Sequence, residues 1–186
     1  MTFEPQPFAT PQDWHDWLAA HPEATEIWVL YHKKGGAVSI DWEQAVIEAL
    51  AHGWIDGIRK TVNETQWMQR FTPRKPGSAW SQKNIAHAEK LIVEGRMKPA
   101  GLAHVLAARS DGRWEVAYSG GKGADLPQDF LDAVAQNPAA TETLKTLDAK
   151  NRYAMYYRLV TTKRPETRAK KLAEYVAMLA RGERLF

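Results

Sequence analysis

The sequence predicts an α+β fold that is rich in helices, with a small three-stranded sheet in the N-terminal part and an all-helical C-terminal module. Two observations support this prediction. Alternating aromatic and β-branched residues are confined to the first 71 positions, whereas apolar residues at helical spacing recur along the whole chain. With 186 residues, 44% of them hydrophobic, the chain can bury a core in one or two domains.

Three strands are predicted in the first half. Residues 25–34, TEIWVLYHKK, alternate bulky apolar positions and predict a strand that is buried on at least one face. Residues 58–62 and 65–71 flank the polar turn Asn63-Glu64 and predict a hairpin. Together they indicate a small antiparallel or mixed sheet.

Helix-start and helix-stop residues delimit the other segments. Thr10 before Pro11 is typical of a helix start, Asp41 with Gln44 predicts a capping box, and Gly53 predicts a helix end. The predicted helices begin, in chain order, at Pro11, Asp41, Ser81 and Pro99, and then cover 127–136, 138–147, 148–161 and 165–181.

Glycine is concentrated in the segment SGGKGAD, residues 119–125, which has three glycines in seven positions. Such a composition is too flexible for the interior of a helix or strand and is typical of a linker. We therefore expect an N-terminal α+β domain over 1–118, a linker over 119–125 and a helical module over 126–186.

Composition excludes several kinds of chemistry. The chain has no cysteine, which rules out disulfides, thiol catalysis and cysteine-bound metal clusters. His52 and Asp56 have a spacing that could hold a metal on one helix, but Gly53 and Gly57 interrupt the helix, so we predict a core or capping histidine and neither metal nor cofactor. No apolar run reaches roughly 18 residues, and the N-terminus lacks a signal-peptide pattern, so we expect no membrane insertion and a cytoplasmic location.

Basic and aromatic residues are concentrated between Trp54 and Asn84. This segment holds three of the eight tryptophans, and its six Lys and Arg against two acids give a formal charge of +4. Arginine and tryptophan together are suited to anionic or planar ligands. The candidate ligand-binding residues are Trp54, Asp56, Arg59, Arg70, Arg74, Trp80, Ser81 and Asn84.

Several residues of this segment also have a structural interpretation. Trp67, on a predicted strand, is expected to point into the core, and Asp56 is expected to form an ion pair with Arg59 or Arg70. Arg74 lies on a loop beside the helix start at Ser81, where backbone N–H groups attract anions. An anionic ligand is therefore expected at this loop.

A second basic segment covers residues 150–171, where eight Lys and Arg against one acid give +7. Residues 1–53 carry two Lys against eight acids, which gives −6. Intramolecular pairing between these regions is the expected explanation, and an anionic partner is the alternative.

Four stretches resemble one family, the bacteriocin-protection, YdeI or OmpD-associated (OmdA) proteins. They are EIWVLYHKKGG, AHGWIDGIRK, QRFTPRKPGSAWSQKN and KRPETRAKKLAEYVAMLARG. The resemblance implies an α+β N-terminal region, a helical OmpD-associated-type module at the C-terminus, and a role in protection against bacteriocins or other antimicrobials.

These observations predict a non-catalytic cytoplasmic binding or stress-protection protein with a pocket for a small anionic or aromatic ligand, or a peptide. Nucleic-acid binding through the basic aromatic segments is the first alternative. An acid/base enzyme that uses Asp56 or His52 is the second. The sequence does not indicate an oligomeric state.

Overall fold

The chain divides into two compact units, Met1–Glu115 and Val116–Phe186. The computed structural model describes residues 4–33, 35–120 and 125–186. Most of the linker predicted over 119–125 lies outside these residues, so that linker remains a prediction.

The N-terminal unit combines one sheet with helices. Its elements are β1 (Gln6–Pro7), α1 (Pro11–Ala20), β2 (Ile27–His32), α2 (Trp42–Ala51), β3 (Trp54–Thr61), β4 (Gln66–Pro73), α3 (Gln82–Val93) and α4 (Pro99–Ser110). Within the described residues the sheet has four strands in the order β1-β2-β4-β3. β1 runs parallel to β2, and the other neighbouring pairs are antiparallel.

The prediction of three strands is wrong, because β1 adds a fourth strand at the edge of the sheet. β1 has only two residues, both exposed, and pairs Gln6 with Val29 and Pro7 with Leu30. A two-residue strand shows no alternation, and proline cannot donate a ladder hydrogen bond, so a proline strand belongs at an edge. The sequence pattern around Pro7 therefore contains no strand signal.

The predicted helix starts in this unit are confirmed. The Thr10 hydroxyl accepts a hydrogen bond from the Asp13 amide, and the Asp13 carboxylate accepts one from the Thr10 amide. Together the two bonds form a capping box. Asp41 and Gln44 form the same arrangement before α2. Each box satisfies two amides that a helix leaves without intrahelical partners.

Trp14 on α1 is a central residue of the N-terminal core. Its side chain is fully buried. The centroid of its ring lies 4.9 Å from that of Phe8, 5.5 Å from that of Trp17 and 5.6 Å from that of Phe71. Its indole Nε1 donates to the Ala45 carbonyl of α2 at 3.0 Å. One side chain therefore joins α1, α2 and β4.

α4 approaches α2 closely at Gly101. A Cβ built at this glycine would lie 2.6 Å from both the Leu50 carbonyl oxygen and Met97 Sδ, and closer still to the Ala51 carbonyl oxygen. Two of these three atoms are backbone, which cannot rotate away. Only glycine permits this approach between the two helices.

The C-terminal unit contains the four predicted helices, α5 (Gln128–Ala135), α6 (Pro138–Lys145), α7 (Ala149–Val160) and α8 (Pro165–Ala180). Apolar residues from all four helices form its core, including Phe130, Ala140, Met155 and Leu179, each fully buried. Buried Asn151 accepts hydrogen bonds from the amides of Leu185 and Phe186, which fixes the chain end against α7.

Candidate functional site

A β-bulge in β3 shapes one end of the N-terminal sheet. Asp56 pairs with Phe71 and Arg59 pairs with Gln69, so Gly57 and Ile58 together oppose one residue of β4. Strict alternation would place Asp56 and Arg59 on opposite faces because three positions separate them. The extra residue brings both onto the same face.

An open cleft of about 400 Å³ lies on this face and is lined by Trp42, Asp56, Arg59, Trp67 and Gln69. We call it the Asp56 cleft. Trp42 is the first residue of α2, and the other four lie on β3 and β4. The cleft therefore lies between the start of a helix and two paired strands.

Asp56 is held by neutral donors. Gln69 Nε2 donates to Asp56 Oδ2 at 2.8 Å and to the Gly57 carbonyl at 3.2 Å, and Trp42 Nε1 donates to the same Oδ2 at 3.3 Å. Burial raises the pKa of Asp56, while these hydrogen bonds and the charge of Arg74 oppose the rise. No ion pair involves Asp56 in the described part of the chain, so the expected pairing with Arg59 or Arg70 is wrong.

Trp67 lies between two other side chains. Its ring stacks on Tyr31 with centroids 4.0 Å apart and an interplanar angle of 9°, and the Arg59 guanidinium carbon lies 4.1 Å from its centroid. Trp67 is only partly buried, so the expectation of a core side chain holds for the face against Tyr31 alone. The other face supports Arg59 beside the cleft.

Tyr31 brings a buried hydroxyl close to the carboxylates. The residue is 1% exposed, and its hydroxyl has no hydrogen-bond partner among the residues that the structure describes. Burial raises its pKa, and the nearby charges of Asp56 and Asp41 raise it further. The hydroxyl therefore keeps its proton and remains a potential donor.

Of the eight residues predicted for a ligand site, the structure brings Asp56 and Arg59 together in this cleft. Trp54 is 5% exposed and belongs to the core. Its ring lies edge-on to that of Trp17, with 6.0 Å between the two ring centroids. Arg70 pairs with Trp28 on β2, on the other face of the sheet, and its guanidinium lies 3.7 Å from Glu26. Neither residue lines the cleft.

The remaining four predicted residues surround the start of α3. Arg74 is 4% exposed, and its guanidinium donates to the Ala79 carbonyl at 3.0 Å. The guanidinium carbon lies 3.9 Å from the centroid of the Trp80 ring. Ser81 is the N-cap of α3 and accepts from the buried Asn84 amide at 3.1 Å. Carbonyl and aromatic contacts thus bury the Arg74 guanidinium. The anion site expected at this loop stays a prediction.

Sequence reasoning missed three residues of the cleft, Trp42, Trp67 and Gln69. Trp42 directly follows the predicted capping residue Asp41 and carries no signal of its own, and Trp67 is expected only in the core. Gln69 carries no sequence signal, because its role depends on the cross-strand register with Arg59. The predicted hairpin places Trp67 on the strand beside Arg59, and this is the signal that could have indicated Trp67.

The fold and the cleft define an α+β protein with a carboxylate at the floor of an open, aromatic-walled site. Residues 6–104 match the family described as Domain of unknown function (DUF8412), and this match covers more than half of the chain. The chain belongs to that family. Residues 124–182 match the family described as Bacteriocin-protection, YdeI or OmpD-Associated. No curated protein and no solved structure matches the chain.

The resemblance noted in the sequence is thus confirmed for the C-terminal part of the chain. The three N-terminal motifs, which include GWIDG, lie within the region that matches the domain of unknown function. Among the described helices, none combines the length and apolar character that a membrane span requires.

Proposed function

We propose that the protein binds a small planar ligand in the Asp56 cleft and that this binding serves protection against antimicrobial compounds. The observation that carries the proposal is a carboxylate, with a raised pKa, on the floor of an open cleft. Burial of a carboxylate costs stability, and neutral donors offset only part of that cost. A carboxylate that is retained in spite of this cost is expected to contribute to ligand binding through its charge.

The ligand class follows from the groups at the cleft. Asp56 accepts hydrogen bonds and selects for N–H donors, whereas the Arg59 guanidinium selects for an acidic substituent. A planar N-heterocycle with an acidic substituent combines these features, and a nucleoside monophosphate is one representative.

Arg59→Gln is expected to weaken binding without affecting folding, because Arg59 is exposed. In a thermal-shift screen of purine and pyrimidine monophosphates, the hit that stabilises the wild type should bind the variant about tenfold more weakly. Lys60→Gln is the matched control. Lys60 is the next residue of β3 and contacts Trp28 on the opposite face of the sheet. Equal affinity of wild type and Arg59→Gln would contradict the site.

Asp56→Asn is expected to keep or increase stability while it abolishes binding. A carboxyl group whose pKa is raised in the folded state contributes stability at low pH, and this contribution is lost as pH rises through the raised pKa. The variant should therefore lose less stability than the wild type between about pH 4 and pH 7, as measured by urea unfolding. A strongly destabilised Asn variant would indicate a purely structural role for Asp56.

Nucleic-acid binding has less support. Of the cations in segment 150–171, Arg168 forms two hydrogen bonds with Asp129, Lys170 pairs with Glu174, and Lys150 lies over the Phe186 ring. These contacts favour the intramolecular explanation. The acids involved belong to the C-terminal unit itself, not to the acidic segment 1–53 that the sequence suggested.

We also infer that the protein acts in the cytoplasm on a compound that has entered the cell. The cysteine-free composition is compatible with a reducing compartment. Cell fractionation tests this location. Recovery of the protein mainly from the periplasm or the envelope would contradict it.

A further inference from the structure

A second cleft lies between the start of α1, the middle of α2 and the loop between α3 and α4. Its volume is about 510 Å³. The residues of this cleft that carry chemistry are His15, Glu48, Arg96 and Lys98. We call it the His15 cleft. It shares no lining residue with the Asp56 cleft.

Glu48 orients the imidazole at this cleft. The residue is 5% exposed, its Oε2 lies 3.0 Å from His15 Nδ1, and its Oε1 contacts the Arg96 guanidinium. Because Nδ1 faces Glu48, Nε2 is the ring atom that His15 can offer to a ligand. In the described part of the chain, Nε2 makes no hydrogen bond.

His52 lies beside His15, on the side away from the ligand-facing Nε2. His52 Nε2 lies 3.3 Å from His15 Nδ1. Burial and the neighbouring His15 lower the pKa of His52 to about 4, so His52 stays neutral above about pH 5. His15 faces the Glu48 carboxylate through Nδ1, so a positive charge on its ring would have a partner 3.0 Å away.

The charged groups around His15 favour an anion. Arg96 contacts Glu48, and its guanidinium lies 3.1 Å from Oε2 of Glu94, which also pairs with Lys90. Lys98 forms no ion pair with any residue that the structure describes. With His15 neutral, the lining of the cleft holds two cations, Arg96 and Lys98, against the Glu48 carboxylate. A proton on His15 adds a further positive charge, so a bound anion and a bound proton stabilise each other.

We propose that the His15 cleft is a proton-coupled site for a single small oxyanion group, sulfate-, phosphate- or carboxylate-like. The group accepts hydrogen bonds from the Lys98 ammonium and from the Nε2–H of protonated His15, while Arg96 adds positive charge. The oxyanion is either a free ion or the acidic end of a larger metabolite. This site is independent of the proposed function of the Asp56 cleft.

Sulfate is the appropriate first probe, because its charge does not change between about pH 5.5 and pH 7.5 and any pH dependence then arises from the protein. Calorimetric titration should give an affinity about fivefold or more higher at the lower pH. The NMR signal of His15 Cε1–H should move during the titration. Sulfate binding that is independent of pH, or no binding, would overturn the proposal. Acetate and methyl phosphate in parallel distinguish a carboxylate site from a phosphate site.

Two variants test the proposed contacts. His15→Gln should remove the pH dependence, and Lys98→Gln should weaken sulfate binding about tenfold at both pH values. Lys75→Gln is the control, because it removes the same charge from an exposed loop residue outside the cleft. If Lys75→Gln weakens binding as much as Lys98→Gln, the attraction is nonspecific and the proposal fails. Lys98 is a cleft-rim residue, so its variant decides the outcome even if His15→Gln does not fold.

Discussion

Trp14→Ala is expected to lower the free energy of unfolding by about 3–5 kcal/mol, the usual cost of removing a fully buried tryptophan. The substitution would leave a cavity between α1, α2 and β4 and would remove the hydrogen bond to the Ala45 carbonyl. Because small domains are stabilised by only about 5–15 kcal/mol, this change removes much of the total. Urea unfolding followed by far-ultraviolet circular dichroism measures it.

Two further variants separate the contributions at this position. Trp14→Phe keeps most of the packing but removes the indole N–H, and should cost about 1–3 kcal/mol. Trp28→Ala is the matched control, because Trp28 lies partly exposed on β2 and contacts Lys60. A loss for Trp28→Ala as large as that for Trp14→Ala would contradict the assignment of Trp14 to the centre of the core.

Gly101→Ala is expected to destabilise the protein by about 1–3 kcal/mol, although helix propensity alone predicts a gain of about 1 kcal/mol. The added methyl group would collide with the carbonyl oxygens of Leu50 and Ala51, and backbone atoms can move only if α4 shifts away from α2. Differential scanning calorimetry should show a lower Tm for the variant.

The control for this change is Gly120→Ala, where an added Cβ meets no atom within 4 Å. Its stability should stay within about 0.5 kcal/mol of the wild type. A stabilised Gly101→Ala protein would show that the two helices separate without cost, contrary to the packing described above.

Helix boundaries in this chain can be predicted from sequence because capping is local. Thr10 with Asp13 and Asp41 with Gln44 supply donors and acceptors within three residues of each other, so the pattern contains the interaction. β1 has no such pattern. It becomes a strand only because Val29 and Leu30, more than 20 residues away, offer their backbone groups.

The candidate site could be predicted only in part for the same reason. Asp56 and Arg59 are notable as charged residues on a hairpin strand, whereas Gln69 reaches them only through strand register and the bulge. Arg74 shows the same limit. Its position on a loop beside a helix start can be read from the sequence, but its contact with Trp80 and the resulting burial cannot, because no local pattern encodes that contact.

The bulge at Gly57 and Ile58 also makes β3 tolerant of a one-residue deletion. Loss of one codon there would restore the regular alternation and leave every remaining side chain of β3 on its present face. Asp56 and Arg59 would still lie opposite Phe71 and Gln69, two residues apart on β4, so the distance between them would change little. Relatives could therefore differ in chain length at this strand and still present the same carboxylate and the same guanidinium to a ligand.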